Sequence, residues 1–457
     1  MTIASGIFRQ YDVRGIVGQD LTAEVARALG GAYAALMRAR SVDGAVAVGR
    51  DNRPSGDMLR EALVDGLTSA GVHVVDIGVV PTPLLYWSLH HLPVIGGIQI
   101  TGSHNPAEYN GFKLSLGTES LHGHDIQELL ALIRRGGAPA GVACGTVSHE
   151  QVIDRYVTDV VARVGRLSRP MRVVYDCGNG AGALVAPQLM RALGLEAVGL
   201  FTESDGTFPN HHPDPTVPEN LQDLIGVVKA EKAEIGLAFD GDADRIGMVD
   251  GEGRIVWGDH ILILYARDVL ERTGHGQPII FDVKCSQALP DEIRRAGGVP
   301  VMWKTGHSLI KDKMRELRAP LAGEMSGHMF FGEGFYGHDD ALYGAARLLR
   351  IVADSGRTVG ELLADVPHFV STPEIRVDCD DTRKFEIVRQ AVEHFRARHD
   401  VIDVDGVRVL FGDGWGLIRA SNTQPIIVTR FEARTPERLA EIRGEMEGWL
   451  RRQGAAV

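Results

Sequence analysis

The stretch that decides the fold is Gly96-Gly97-Ile98-Gln99-Ile100-Thr101-Gly102-Ser103-His104-Asn105-Pro106. Residues 96–101 read as a short buried strand, and residues 102–106 as a turn of glycine, serine, asparagine and proline. A strand that ends in such a turn sets its serine at the carboxyl edge of a sheet, where α/β folds bind ligands. Upstream, helix and strand patterns alternate. Leu21, Val25, Ala28, Leu29, Ala32, Tyr33 and Leu36 recur at spacings of three and four and make one apolar helix face. Residues 45–48 read as a buried strand, Met58, Leu59, Leu63 and Leu67 as a second helix, and residues 73–77 as another strand. This alternation predicts a mostly parallel sheet.

Downstream the pattern restarts after Pro170. Residues 171–176 read as a strand, 178–182 as a glycine-rich turn and 183–193 as a helix. Residues 234–239 form a further strand that runs into Asp240-Gly-Asp242-Ala-Asp244-Arg245, and a hairpin around Asp250-Gly251 follows. A third unit begins with a helix at 259–272. From about Pro373 the order changes to strand, helix (382–398), three strands and a last helix (436–451). The expected organisation is three consecutive α/β domains with mixed, mostly parallel sheets plus a smaller C-terminal α+β domain around a central cleft. The domains are read as 1–149, 150–252, 253–366 and 367–457.

Composition narrows the function. The chain has 457 residues and a net charge of −12, so it offers no global basic field for a nucleic acid. Glycine accounts for 55 residues, well above the roughly 7% average, as many strand-to-helix turns require. The four cysteines (Cys144, Cys177, Cys285, Cys379) form no C-x-x-C pair, which fits a reducing cytoplasm. No basic-then-apolar leader opens the chain, and the apolar stretch at 77–100 is broken by Pro81, Pro83, His90, His91 and Pro93. The expectation is a cytoplasmic chain with no membrane and no nucleic-acid partner.

Four constellations carry chemistry. Ser103 sits in a glycine turn as a candidate nucleophile, against the alternative that Ser103 and Asn105 merely cap the backbone. It is not the G-x-S-x-G elbow of hydrolases, because Thr101 and Asn105 replace the glycines. Adjacent residues rarely face one another, so Ser103 and His104 are not read as a pair. Asp240-x-Asp242-x-Asp244 is a candidate site for a hard cation, with Arg245 beside it for a phosphate oxygen. An EF-hand is excluded by Arg245 and Gly251 at its sixth and twelfth positions. Gly323-Glu324-Met325-Ser326-Gly327-His328 offers carboxylate and hydroxyl to sugar hydroxyls. Arg419-Ala-Ser421-Asn422-Thr423-Gln424-Pro425 makes a plausible phosphate cradle, or a simple turn. Gly178-Asn-Gly180-Ala-Gly182-Ala183, with Glu203 beyond, fits a dinucleotide fingerprint only weakly. Lys113, Lys284, Lys304 and His307 remain as candidates for proton or phosphate duty.

Taken together, these motifs resemble the α-D-phosphohexomutase family, and within it the bifunctional bacterial branch that acts on mannose and glucose phosphates. The likeness runs from Phe8-Arg-Gln-Tyr11-Asp-Val-Arg14-Gly15 to Arg419–Pro425. It implies that Ser103 is a phosphoserine that donates to the sugar, and that Asp240, Asp242 and Asp244, with Ser103, hold one Mg²⁺ per chain. It implies sugar contacts at Glu324 and Ser326, and a distal phosphate clamp of Arg419, Ser421, Asn422 and Thr423. Tyr11, Arg14, Lys113, Arg245, Lys284, His307 and His328 fall where the family places active-site residues. Met325 favours glucose and mannose over the amino-sugar branch, which more often has Gln there. Ala107 and Gln424 depart from the commoner family residues.

The resemblance implies interconversion of hexose 1-phosphates and hexose 6-phosphates of glucose and mannose. A hexose 1,6-bisphosphate would serve as intermediate and activator, and Lys113 and His307 are the candidates for moving the hydroxyl proton. The partners expected are small hexose phosphates, with a monomer expected and a dimer as the alternative. A hinge near 367–373 is expected to let the last domain close. The competing readings are a haloacid-dehalogenase-like sugar phosphatase with Asp240 as nucleophile, an amino-sugar phosphate mutase of the same family, and a non-catalytic sugar-phosphate binder.

Overall fold

The computed structural model describes residues 3–136, 143–422 and 424–455, and four sheets follow one another along the chain. In the first, Ala45–Arg50 lies between Val74–Val79 and Val94–Ile100, all three parallel. Tyr109–Leu116 then returns antiparallel to Val94–Ile100 and pairs on its other side with Val13–Ile16. Residue alternation sends the parallel strands into two cores. Val46, Val48 and Val74 pack with Leu29, Leu63 and Leu129, whereas Ala47 and Val75 pack with Leu84, Leu85 and Trp87. Both faces are therefore covered, and the strands read as unbroken apolar runs.

The second sheet sets Arg172–Asp176 between Glu196–Leu200 and Ile235–Phe239 in parallel, then adds Ile246–Asp250 and Ile255–Val256 antiparallel. In the third, Pro278–Asp282 lies parallel to Val299–Trp303 and Leu321–Gly323, and Met329–Phe331 closes it antiparallel. The fourth is wholly antiparallel, with helices Lys384–Arg396 and Pro436–Arg452 packed on its core. The architecture is three α/β units and one α+β unit.

Two local readings change. Tyr109–Leu116 is a strand that period-two patterning does not reveal, because it is buried along most of its length and carries the buried polar residues Asn110, Lys113 and Ser115. The helix expected at 183–193 is split into a 3₁₀ turn Ala181–Leu184 and a helix Ala186–Ala192, with Pro187 in its first turn. Ahead of it, the Ala181 N–H donates to the Gly241 carbonyl at 2.9 Å. The glycine turn thus braces the acidic loop rather than opening a nucleotide pocket.

Packing ties the units unequally. One core runs without a break through Trp87, Tyr156, Met171, Leu237, Leu262, Leu289 and Leu342, and so joins the first three units. The fourth has a core of its own and meets the third through a small cluster of Val283, Trp415 and Leu417. Within the first unit, helices Ala23–Ala39 and Gly56–Ser69 touch backbone to backbone. A Cβ on Gly66 would lie 2.1 Å from the Arg27 carbonyl oxygen. In a free helix Gly→Ala stabilises by roughly 0.5–1 kcal/mol. Here the sign reverses: Gly66→Ala is expected to destabilise by about 1–3 kcal/mol, read as a lower urea midpoint at unchanged slope.

Candidate functional site

Ser103 is buried and holds a left-handed backbone, φ 50°, in the turn after Val94–Ile100. Its N–H donates to Thr101 Oγ1 at 2.8 Å, and its Oγ donates to Asp240 Oδ2 at 3.0 Å. The same backbone twist brings His104 Nδ1 to 3.1 Å from Ser103 Oγ. Neighbours in sequence do face one another here, contrary to the sequence expectation, because positive φ folds two successive side chains to one side. Burial, with Arg245 and Arg14 nearby, drives the His104 imidazole well below its usual range, so it stands neutral. Arg14 donates to Asn105 Oδ1 at 3.1 Å and to the Gly102 carbonyl at 3.4 Å, pinned from behind by Asp12 at 2.6 Å.

The acidic loop follows Ile235–Phe239 at the carboxyl edge of the second sheet. Asp240, Asp242 and Asp244 are wholly buried, and one oxygen from each lies within 4.8 Å of the others. Asp240 Oδ1 accepts the Asp244 and Arg245 N–H groups at 3.0 and 3.1 Å. Asp242 Oδ2 accepts from Thr82, Thr101 and Lys113 at 2.5, 3.1 and 2.7 Å. Lys113 Nζ also reaches Asp244 Oδ2. Burial and then the repulsion of Asp244 and Asp242 drive the Asp240 carboxyl well above its usual range. Burial pushes Asp242 up too, but Lys113 outweighs it and holds that carboxyl low. Asp242 Oδ1 and Asp244 Oδ1 are buried with no hydrogen-bond partner among the described residues. Two orphaned oxygens in a crowded set of hard donors fit a divalent cation.

Arg245 leaves this loop toward the third unit, where its Nε donates to His328 Nε2 at 2.9 Å. A nitrogen that accepts there cannot carry a proton, so the His328 hydrogen sits on Nδ1, 3.2 Å from Asp339 Oδ2. Asp339 is fully buried and also takes Lys311 at 3.1 Å. Burial and Lys311 hold His307 well below the usual imidazole range. The His307 ring lies 5.8 Å from that of His328 and 6.0 Å from that of Tyr11.

A second group gathers around the fourth unit. The Tyr11 hydroxyl donates to the Thr305 carbonyl and accepts from Asn422 Nδ2, both at 2.7 Å, and so joins three units. Arg419 Nε donates to Asp405 Oδ2 at 2.9 Å, which also takes the Thr305 N–H at 3.1 Å. Glu324 accepts the Gly306 N–H at 2.8 Å on one oxygen and the Ser326 hydroxyl at 2.9 Å on the other. Lys284 Nζ donates to Glu374 at 3.2 Å, and that pairing holds the Glu374 carboxyl down to about 2. Ser421 Oγ accepts the Gln424 N–H at 3.1 Å. The segment Thr305-Gly306-His307 links the two groups.

Arg14, Ser103, Lys113, Asp240, Asp242, Asp244, Arg245, His307 and His328 thus cluster on one side, and Tyr11, Lys284, Glu324, Ser326, Arg419, Ser421 and Asn422 on the other. Lys304 is exposed, and Thr423 lies outside the described residues. Sequence reasoning passed over Thr82, Asp339, Lys311, Asp405 and Glu374, none of which stands in a motif. Only the doublet Asp339-Asp340 ahead of a helix is a signal worth reading. A cavity of about 210 Å³ beside His90 and His338 meets this shell at Lys311 alone.

The comparisons with known proteins agree along the whole chain. Residues 5–137, 154–253, 257–369 and 374–448 match the family models for phosphoglucomutase/phosphomannomutase: three alpha/beta/alpha domains, I to III, and the C-terminal domain. A phosphomannomutase/phosphoglucomutase of Pseudomonas putida is 48% identical over 443 residues, 96% of this chain and 94% of its own. A phosphoglucomutase of Neisseria gonorrhoeae is 45% identical over 98% of this chain and 97% of its own. A solved phosphoglucomutase/phosphomannomutase family protein of Burkholderia thailandensis superposes at TM-score 0.91, with 45% identity and 98% of each chain covered. Fold, site and relatives together define an intramolecular phosphotransferase, a phosphohexomutase. The chain belongs to the phosphoglucomutase/phosphomannomutase family.

The bonding around His328 is open to direct measurement. Nitrogen-15 NMR at neutral pH is expected to give His328 as the Nδ1–H tautomer. Asp339→Asn, which replaces an acceptor with an amide, is expected to change that pattern.

Proposed function

We propose that the chain interconverts the 1- and 6-phosphates of glucose and mannose, with Ser103 as the phosphoryl carrier. The observation that carries the reading is the hydroxyl of Ser103, fixed in a left-handed turn and 3.0 Å from the head of a buried three-carboxylate loop. In the first half-reaction a sugar hydroxyl oxygen attacks the phosphorus on Ser103. The new O–P bond forms as the Ser103 Oγ–P bond breaks, and Oγ keeps the bonding pair. His307 takes the hydroxyl proton, since burial and Lys311 leave it neutral and able to accept it. Lys113 does not: Asp242 and Asp244 outweigh its burial and keep it protonated, so that, contrary to the sequence expectation, it has no lone pair to receive a proton. The 1,6-bisphosphate then turns over in the site and returns its other phosphoryl group to Ser103. This second half-reaction is the reverse of the first, with Ser103 Oγ attacking the other phosphorus of the bisphosphate and a sugar oxygen leaving.

Asp240, Asp242, Asp244 and the phosphorylated Ser103 would hold one Mg²⁺. Bound there, the ion supplies positive charge to the transferring phosphoryl oxygens. Arg14, from strand Val13–Ile16, and Arg245, from the acidic loop, are assigned to the same oxygens. Glu324 and Ser326 are assigned to sugar hydroxyls: each Glu324 oxygen already accepts one bond and keeps a lone pair for another. Tyr11, Lys284, His328, Arg419, Ser421, Asn422 and Thr423 are assigned to the remaining hydroxyls and the distal phosphate. Arg419 and Lys284 are both buried, and carboxylates keep both charged against that burial.

Asp240 as a covalent nucleophile is not favoured, since its two oxygens already serve Asp244, Arg245 and Ser103. No helix among the described residues is long and apolar enough to cross a membrane. The reading includes a cytoplasmic monomer that works on free hexose phosphates.

A coupled initial-rate panel on the 1-phosphates of glucose, mannose and N-acetylglucosamine tests this, with Mg²⁺ and a trace of glucose 1,6-bisphosphate present. Comparable turnover of the first two is expected; turnover of the amino sugar alone would move the chain to the sister branch. Ser103→Ala is expected to lose at least about 1,000-fold in kcat, and full activity in that variant would end the account. Dialysis against EDTA is expected to abolish turnover and added Mg²⁺ to restore it.

A further inference from the structure

We propose that Arg53 is the positioning residue that holds Ser103 in its left-handed conformation and so sets where its hydroxyl points. The inference rests on the reading of Ser103 as phosphoryl carrier. Serine does not adopt positive φ routinely, so something outside the turn has to hold it there. The turn has few bonds of its own. The Asn105 N–H donates to the Gly102 carbonyl and the Tyr109 N–H to that of Pro106, both at 3.0 Å, and among the described residues the Ser103 carbonyl is left without a backbone donor. Arg53 supplies one. Its side chain is 0% exposed beneath the turn. Nη2 donates to the Ser103 and Asn105 carbonyls at 2.8 and 2.6 Å, and Nη1 to those of Pro106 and Tyr109 at 2.6 and 3.0 Å. One planar fork thus fixes four carbonyls across seven residues, from the nucleophile to the start of strand Tyr109–Leu116.

The guanidinium is itself held. Asp51 accepts Nε at 3.2 Å and the Arg53 N–H at 3.0 Å, while its Oδ2 also takes the Gly102 N–H at 3.1 Å. Asp51 therefore grips the turn and its organiser together. Gly102 lies directly on the fork: a Cβ there would sit 2.5 Å from Arg53 Cζ. From the second unit, the Phe208 ring stacks on the guanidinium at 5.1 Å. Asn52 Nδ2 donates to the Asn179 carbonyl and Ser204 Oγ at 2.7 and 2.9 Å. The segment that aims Ser103 is thereby anchored to the unit that carries the acidic loop, which keeps nucleophile and carboxylates in register. Lysine cannot replace this fork, since its three donors radiate from one atom.

The test is Arg53→Lys in the full chain. An error of an ångström in a reacting atom costs about 100-fold, so kcat is expected to fall about 100-fold with KM within about twofold. Phosphorylation of Ser103 by glucose 1,6-bisphosphate is expected to slow in proportion. Amide hydrogen exchange over residues 102–109 is expected to rise at least about tenfold, while that of strands Arg172–Asp176 and Ile235–Phe239 stays unchanged. Arg347→Lys serves as control: it is an equally buried arginine, bonded to Asp268 and Tyr343, that touches no residue of the site. It is expected to lower the melting temperature and leave kcat within about twofold, as a purely structural arginine would.

Phe208→Ala keeps the proposal testable if Arg53→Lys does not fold, because Phe208 is only half-buried; a loss of about tenfold in kcat is expected there. If the folded Arg53→Lys variant keeps its kcat and its exchange pattern, or if Phe208→Ala leaves kcat unchanged, Arg53 is a structural residue and the proposal is wrong. Full activity in Ser103→Ala would instead remove the reading beneath it.

Discussion

Three carboxylates buried on one short turn set the terms for everything around them. Like charges this close, away from water, cannot all remain ionised without compensation. Lys113 answers part of the demand from the first unit and holds Asp242 ionised, while Asp240 is forced upward. The two unpartnered oxygens mark the charge still missing. On the proposed reading a cation and a phosphoserine would supply that charge and its counterweight together, and cation binding and the charge on Ser103 would be coupled through one set of oxygens.

That constraint explains why residues of three units converge here. Lys113 comes from a strand buried along most of its length, Thr82 from the first turn of a helix, and His328 from the loop before Met329–Phe331. Each brings a hydrogen-bonding group to the shell that its own unit does not need. None of the described residues of the fourth unit joins this charge cluster. It bonds instead to Tyr11 and to Thr305, at the end of the site where neutral and cationic donors dominate. On the proposed reading one end serves phosphoryl transfer and the other recognition.

The alternation of strands and helices could be read from residue spacing, because Val25, Leu29, Ala32, Tyr33 and Leu36 are buried on one helix face as their period requires. The loops bearing Ser103, the three aspartates and Glu324 were visible by residue type. What escaped was whatever depends on separation along the chain. Asp51-Asn52-Arg53 looks like any polar loop until it is placed fifty residues away, under Ser103. Asp339 shows no motif, since its partners arrive from other elements. The Ser103–His104 contact was read wrongly because sequence order does not report the sign of φ. Tyr109–Leu116 was missed because a strand buried along both faces has no alternation to detect.

The shared core of the first three units also bears on how such a chain can be divided. A fragment cut where the helix and strand pattern restarts, near Pro170, would split a hydrophobic interior that has Leu84, Trp87 and Tyr156 on one side of the cut and Leu237, Leu262 and Leu342 on the other. Neither piece would be self-sufficient. The more economical cut lies before the fourth sheet, where the hydrophobic contact severed is the small patch around Val283 and Trp415, along with polar contacts such as Tyr11–Asn422 and Thr305–Asp405. The sequence is modular in four parts, but as a physical object it is divisible only in two, and gene fusions or transplanted domains would have to respect that seam.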